Sequence, residues 1–262
     1  MDNLDSPTRN SRLNHAAVNQ WQLEQVSLRP PLGSHLLLQS ISCELMAGDR
    51  CALIGATGAG KTLLLRLLNR LIDPSQGSIL FQGRDLRQIP IAQLRQTVTL
   101  VLPEPRLLGM TVRDAIAYPL AFRNLSSTVI QQRVTDWIDR LQIPSDWLNK
   151  TEVQLTLNQR QWIAIARACV CEPAVLLLDE PFGALDGDRR QQLLNILQDS
   201  ALRQTTIVIG THHVELVRLW AQRVWCLHQG KLLWQESSDR LDWESVEDSI
   251  AQAEADVATE WD

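Results

Sequence analysis

The chain of 262 residues is 45% hydrophobic and 21% charged, which is typical of a globular protein with a substantial buried core. Its net charge of −5 is unevenly placed, because residues 236–262 hold ten acidic residues and one arginine. The rest of the chain has only a slight excess of basic residues, which is too small to indicate a nucleic acid as a partner. The N-terminus lacks a signal-peptide pattern and no apolar run approaches about 18 residues, so we do not expect the chain to span a membrane.

The cysteines show no CxxC pair and no nearby histidine at zinc spacing. Their apolar surroundings, such as ARACVCEP, favour buried free thiols and a reducing, cytosolic compartment. The five are Cys43, Cys51, Cys169, Cys171 and Cys226.

The first half of the chain reads mainly as β structure. Residues 1–17 are polar and aperiodic, and we expect a flexible arm there. Strand-like patterns follow in WQLEQVSL and, after the turn-forming RPPLG, in HLLLQSISCEL. DRCALIG is a short apolar strand that leads into a glycine-rich loop and the apolar helix KTLLLRLLNRL, and GSILFQG predicts a further strand.

The second half is predicted to be mixed. A mostly helical section runs from about residue 105 to 168, and the apolar segments AVLLLDEP and TTIVIGTHH predict parallel strands buried on both faces. In the acidic tail, apolar residues recur every three or four positions, which predicts an amphipathic helix docked on its own domain or across a dimer. These residues are Trp243, Val246, Ile250, Ala253, Val257 and Trp261. The alternative is a solvated acidic tail.

The segment GATGAGKT fits the phosphate-binding pattern GxxxxGK[ST] and lies between a predicted strand and a predicted helix, as this motif requires. Its backbone N–H groups are expected to surround phosphate oxygens at the helix N-terminus. Lys61 would reach the β and γ phosphates of ATP, and the Thr62 hydroxyl would ligate Mg²⁺. The remaining loop residues are Gly55, Ala56, Thr57, Gly58, Ala59 and Gly60.

Two further segments place polar side chains where predicted parallel strands end, the edge at which α/β sheets bind ligands. In AVLLLDEPFGALD, Asp179 is suited to hold Mg²⁺ through water and Glu180 to polarise an attacking water. In IVIGTHH, His212 is placed to hydrogen-bond a γ-phosphate or that water. Alternatively, the acidic pair only caps the next turn and the histidine is structural.

Together these segments, across about residues 21 to 235, resemble the ATP-binding subunits of ABC transporters. The resemblance implies an α/β fold in which a P-loop NTPase, RecA-like core carries an antiparallel β subdomain and an inserted helical subdomain at about residues 105–168. It divides the chain into the arm at 1–17, the ATPase domain at 18–235 and an acidic helix or tail at 236–262. Two such subunits sandwich two ATP molecules and move a membrane-spanning partner.

The resemblance also implies roles for individual residues. Asp179 matches the magnesium aspartate, Glu180 the catalytic base and His212 the switch histidine. Asp186 matches the aspartate of a loop that contacts the opposite subunit. The residues supplied in cis to hydrolysis are thus present, apart from one departure described below.

The signature motif departs from the family pattern. In the family LSGGQ, the serine hydroxyl and the glycine N–H groups donate to the γ-phosphate of ATP held by the opposite subunit. Leu157 is expected to obstruct that approach, whereas Thr156 keeps a hydroxyl and Asn158 is expected to tolerate an unusual backbone conformation. In place of LSGGQ, this chain has Leu155, Thr156, Leu157, Asn158 and Gln159.

Two prolines replace other family residues. Pro103 stands where the family has the glutamine that contacts Mg²⁺ and water, and it supplies neither an amide side chain nor a backbone donor. Glu104 is adjacent and is an alternative contact, with a charge and a different reach. Pro30 stands about where the family stacks an aromatic on adenine, so we expect weaker ATP binding with the phosphate contacts retained.

The sequence therefore predicts an ATP-hydrolysing subunit that energises small-solute transport through a separate permease, at the cytoplasmic face of a membrane. Import is favoured over export by DEPFGALD and EPRLLGMTV. Homodimers and heterodimers with a second ATPase subunit both remain open. The alternative is an ATP-binding regulatory or structural subunit with little hydrolysis, which the altered signature and Pro103 favour.

Overall fold

The computed structural model describes residues 19–30 and 35–259. The predicted arm at 1–17 and Trp261 lie outside these residues, as does the side chain of Val257. The described strands are β1 (Asn19–Leu28), β2 (Leu38–Met46), β3 (Arg50–Ile54), β4 (Gln76–Phe81), β5 (Arg84–Asp85), β6 (Val98–Val101), β7 (Val175–Asp179), β8 (Thr206–Thr211), β9 (Arg223–His228) and β10 (Lys231–Ser237). The α-helices are α1 (Lys61–Leu68), α2 (Ile91–Thr97), α3 (Val112–Ala117), α4 (Ser127–Arg140), α5 (Leu157–Cys169), α6 (Gly187–Ile196), α7 (Val214–Val217) and α8 (Trp243–Thr259).

Two sheets organise the chain. An antiparallel sheet has the order β2-β1-β4-β5, and a second sheet has the order β10-β9-β3-β8-β7-β6. In the second sheet all neighbouring pairs are parallel except β10 with β9. Strands β7 and β8 are buried along their whole length, as parallel strands covered on both faces require. The predicted α/β fold with a separate antiparallel β region is confirmed.

Strand β2 starts later than the sequence pattern predicts. The expected strand HLLLQSISCEL begins at His35, but β2 begins at Leu38 and continues to Met46. Leu37 already lies beside β1, because its N–H donates to the carbonyl of Leu28 at 2.8 Å. The apolar run before Leu38 therefore belongs partly to the connection between the two strands.

The predicted helical section contains α3, α4 and α5. Their apolar faces share one core with the second sheet, and Trp137 and Trp162 are buried in it. The indole of Trp162 donates to the carbonyl of Leu141 at 2.9 Å, which fixes α5 against the end of α4. This packing sets the position of the N-terminus of α5, where the altered signature lies.

Helix α8 packs on the chain's own core, one of the two arrangements predicted for the tail. Ile250 is 7% exposed within the main core cluster, and Trp243 and Val246 pack against the same cluster. Glu247 forms an ion pair with Arg218 at 3.2 Å. Within the described ranges, no helix has both the length and the apolar composition needed to cross a bilayer.

The cysteines are buried free thiols, as predicted. Burial raises the pKa of the Cys43 thiol to about 12 and that of Cys226 to about 11. Thiols with such pKa values carry very little thiolate at neutral pH, and the thiolate is the reactive form. These cysteines therefore contribute to packing and not to the chemistry of the site.

Candidate active site

The phosphate loop joins β3 to α1, and two of its glycines are required by geometry. Gly60 caps α1 in the left-handed region with φ +106°, and a Cβ there would lie 2.7 Å from Leu38. A Cβ on Gly55, whose φ is +153°, would lie 2.2 Å from the carbonyl oxygen of Leu227. A side chain at either position would push the loop away from its neighbouring strands.

The order of the parallel strands brings the distant motifs together. Strand β8 lies between β3 and β7, so Ile54 pairs with Thr211 and Asp179 pairs with Gly210 at the same sheet edge. A pocket of about 260 Å³ opens there. It is lined by Thr57, Gly58, Ala59, Gly60, Lys61, Thr62, Leu63, Glu180 and His212.

Lys61 is buried, with 5% of its surface exposed, and its charge is compensated within the site. Its Nζ donates to the carbonyl oxygens of Gly55 at 2.6 Å and Ala56 at 3.1 Å. The same nitrogen lies 3.1 Å from Oε1 of Glu180. Phosphate oxygens entering the loop would compete with these three acceptors for the ammonium group.

Glu180 is held in an uncommon conformation. Its φ is +44°, and its backbone N–H donates to the carbonyl of Gly210 at 2.8 Å. Nδ1 of His212 lies 3.1 Å from Oε1. Burial acts to raise the pKa of Glu180, but attraction to Lys61 and His212 outweighs it and lowers the pKa below its usual value. The carboxylate is therefore ionised at neutral pH, as a general base must be.

Asp179 and Thr62 form a set of oxygen atoms that fits Mg²⁺. The Thr62 hydroxyl donates to Oδ1 of Asp179 at 3.0 Å. Oδ2 of Asp179 is buried without a hydrogen-bond partner among the described residues, and burial raises the pKa of this carboxyl. A hard divalent cation bound by one carboxylate, a hydroxyl and substrate phosphates would satisfy that oxygen and favour the ionised form. The described ranges contain no cluster of three or more His, Cys, Asp or Glu side chains suited to a metal.

The signature residues lie apart from this pocket, at the start of α5. Leu155 is 7% exposed and belongs to the core, whereas Leu157 is 43% exposed. Thr156 caps α5 and forms a capping box with Gln159. The tolerance for an unusual backbone conformation expected of Asn158 is not used, because Asn158 lies in the first turn of α5 with φ below zero.

Asn158 instead makes a side-chain contact that the sequence did not indicate. Its Nδ2 donates to Oδ2 of Asp186 at 2.7 Å. The other carboxylate oxygen of Asp186 accepts from the N–H of Arg189 at 2.9 Å and caps α6. Two sequence-predicted site residues are thus brought together, although neither lines the phosphate pocket.

An apolar groove of about 810 Å³ is a second feature that the sequence analysis missed. It lies between α5, β6 and the segment that follows β6, and Glu104 contributes to its lining. Leu108 and Phe122 are each 61% exposed there, and the ring of Tyr118 lies 5.3 Å from that of Phe122. Glu104 thus lies in this groove and Pro103 lines neither cavity. In the sequence, the apolar segments RLLGM and YPLAF could have indicated this groove.

Glu254 of helix α8 contacts the phosphate loop, which the sequence analysis also missed. Its Oε1 accepts from the backbone N–H of Thr57 at 2.6 Å and from the Thr57 hydroxyl at 3.1 Å. A carboxylate therefore engages one of the loop donors that is suited to phosphate. The acidic, amphipathic tail was the only sequence signal, and it did not identify the partner.

The fold and this site define a nucleotide-binding ATPase of the P-loop type, and comparison with known proteins identifies the family. A profile of the ABC transporter family matches residues 38–183. The histidine/lysine/arginine/ornithine transport ATP-binding protein HisP of Escherichia coli is 32% identical over 230 residues, covering 82% of this chain and 90% of HisP. The methionine import ATP-binding protein MetN of Caulobacter vibrioides is 31% identical over 245 residues, covering 89% of this chain and 73% of MetN.

A solved structure from the same family has a similar fold. CbiO1 from Clostridium perfringens, part of the ABC transporter complex cbiONQ, superposes with a TM-score of 0.75 at 25% identity. The match covers 91% of this chain and 93% of cbiO1. The chain belongs to the ABC transporter family, and it is an ABC-type ATPase.

Removal of the Glu254 carboxylate should strengthen nucleotide binding. We expect Glu254→Ala to raise MgATP affinity about fivefold, ~1 kcal/mol, because it frees the Thr57 N–H and removes a negative charge near the phosphates. Isothermal calorimetry on the full chain measures this. Asp248→Ala is the matched control, since it removes an exposed carboxylate from the same helix. Equal affinities for the two variants would show that Glu254 does not compete with phosphate.

Proposed function

We propose that this chain is the ATP-hydrolysing subunit that energises transport of a small solute by a separate permease. The observation that supports it best is the convergence of Lys61, Asp179, Glu180 and His212 at one sheet edge. Residues 18–235 would form the ATPase domain, with residues 236–262 as an acidic C-terminal element. The relatives named for amino-acid transport and methionine import favour import.

The phosphate loop would act first. Lys61 would transfer its hydrogen bonds from the loop carbonyls and Glu180 to the β and γ phosphates of ATP. Thr62 and Asp179 would hold Mg²⁺ through their oxygens. Bound Mg²⁺ would neutralise charge that develops on the phosphate oxygens.

Loss of its contact with Lys61 would leave Glu180 free to act on water. An ionised Glu180 can accept a hydrogen bond from the attacking water and orient it in line with the γ-phosphate. His212, whose Nδ1 lies 3.1 Å from Oε1 of Glu180, would hold the carboxylate or contact the γ-phosphate. Since Pro103 supplies no amide side chain, the water would lack the contact that the family takes from glutamine.

The apolar groove is the proposed docking site for the permease. Leu108, Tyr118 and Phe122 expose apolar surface on the helical side of the chain, where contact with a membrane protein would exclude water. CbiO1 is part of a transporter complex, which supports a permease partner for this chain. The protein would then lie peripherally at the cytoplasmic face of the membrane.

The identity of the second subunit in the dimer would determine the rate of ATP hydrolysis. In a homodimer, both ATP molecules would meet the N-terminus of α5, where the exposed Leu157 side chain stands beside the first free N–H groups. With a second ATPase that carries LSGGQ, one site would combine an unobstructed signature with this chain's Glu180. The intact cis residues favour this asymmetric pair. A subunit with little hydrolysis is the alternative that the altered signature favours.

Two variants separate binding from hydrolysis. We expect Lys61→Ala to lower MgATP affinity about tenfold or more, because the phosphates lose their buried ammonium partner. Glu180→Gln should keep that affinity and lower turnover at least about a hundredfold, since the amide cannot act as a base. Calorimetry and phosphate release measure the two effects, with the exposed Glu44→Gln as control. Equal affinity of the parent and Lys61→Ala would remove the phosphate-loop assignment.

Truncating Leu157 tests the signature in the homodimer. We expect Leu157→Gly to raise turnover about tenfold, or ~1.4 kcal/mol of barrier, because the backbone at the start of α5 can then approach phosphate. Leu157→Ala should give an intermediate rate, since it shortens the side chain but keeps a Cβ. Rapid hydrolysis by the parent that neither change alters would show that LTLNQ is a competent signature.

A charge in the apolar groove tests the permease contact. Phe122→Asp should reduce co-purification of the permease from native membranes at least about tenfold, because the variant replaces an exposed apolar ring with a charge that docking would have to desolvate. The ATPase rate of the isolated protein should not change, since Phe122 does not line the phosphate pocket. Leu219→Asp is the control, at an exposed apolar position outside the groove. An equal loss with both variants would argue against the groove.

A further inference from the structure

Asn158 and Asp186 connect two elements that are 28 residues apart in the chain. The amide of Asn158 donates to one oxygen of Asp186 at 2.7 Å, while the other oxygen caps α6 through the N–H of Arg189 at 2.9 Å. The Asp186 carboxylate therefore joins the first turn of α5 to the N-terminus of α6. A glycine at position 158 has no side chain to make this contact.

Both ends of the contact are themselves fixed. On the α5 side, the capping box of Thr156 and Gln159 sets the direction of the first helical turn. On the α6 side, Nε of Arg190 donates to the carbonyls of Phe182 and Leu185, at 3.1 and 2.9 Å. These bonds hold the loop that ends in Asp186, so the Asn158–Asp186 bond connects two locally ordered segments.

We propose that Asn158 is a positioning residue, which locks the Asp186 loop and the signature helix of its own chain into one unit. This rests on the proposed function, in which the N-terminus of α5 meets the ATP held by the opposite subunit and the Asp186 loop contacts that subunit. The unit would then meet that nucleotide with fixed geometry. Asn158 would then contribute to the function of the signature, and only Leu157 would obstruct the approach of the backbone to phosphate.

An exchange of the two side chains tests the proposal. Asn158→Asp places two carboxylates together and should separate the segments, whereas the double variant Asn158→Asp/Asp186→Asn restores the bond with donor and acceptor exchanged. Asparagine at 186 can still cap α6. Asn195→Ala, on the exposed surface of α6, is the matched control.

We expect Asn158→Asp to lower kcat about tenfold, the size expected for loss of a hydrogen bond to a charged group together with new repulsion. KM for ATP should stay unchanged, because the cis pocket is untouched. Backbone amides of residues 183–187 should exchange faster in Asn158→Asp, and the double variant should restore their protection and raise kcat above that of Asn158→Asp. Asn158→Ala should lie between the parent and Asn158→Asp.

Parent-like turnover in Asn158→Asp or Asn158→Ala would overturn the proposal. Parent-like amide protection of residues 183–187 in Asn158→Asp would also overturn it, because the contact would then not order that loop. These outcomes differ from failure of the proposed function, which would show as absent MgATP binding or hydrolysis in the parent. If turnover of the parent is too slow to compare, the same Asn158 and Asp186 variants are measured in the Leu157→Gly protein, where turnover is expected to be faster.

Discussion

The buried ammonium group of Lys61 is the constraint on which the arrangement of the site depends. A charge with 5% exposure must be compensated, and here the compensation comes from two loop carbonyls and Glu180. The same contact lowers the pKa of Glu180 and holds its carboxylate 3.1 Å from His212. In the proposed function, nucleotide binding would exchange the partners of Lys61, and this exchange would release the Glu180 carboxylate for the chemistry.

The two halves of the nucleotide machinery differ in how far they depart from the family. The cis half depends on backbone geometry and a few polar side chains at the ends of buried strands, and all of these are in place. In the proposed dimer, the trans half would depend on close approach to the start of α5, where Leu157 is exposed and Asn158 is hydrogen-bonded to Asp186. Helix α5 nevertheless begins in an ordinary way, because Thr156 and Gln159 form its capping box.

Much of the site was predictable because it is encoded by residue type at fixed spacing beside apolar strands. Lys61, Asp179, Glu180 and His212 follow that rule. The contact of Asn158 with Asp186 was not predictable, because the motif describes Asn158 only through the glycine that it replaces and specifies no side-chain partner 28 residues away. The Glu254 contact joins positions 197 residues apart, and no periodic pattern specifies which loop a docked helix reaches.

The contact between Glu254 and Thr57 couples the C-terminal helix to the phosphate loop. Helix α8 is held by Ile250 and by the Glu247–Arg218 ion pair, so its position depends on the core beneath it and on ionic strength. A fragment cut before α8, or a fusion that displaces this helix, would report the affinity of an altered loop. We therefore expect the ATP dissociation constant of this protein to depend on the salt concentration and on whether helix α8 is present.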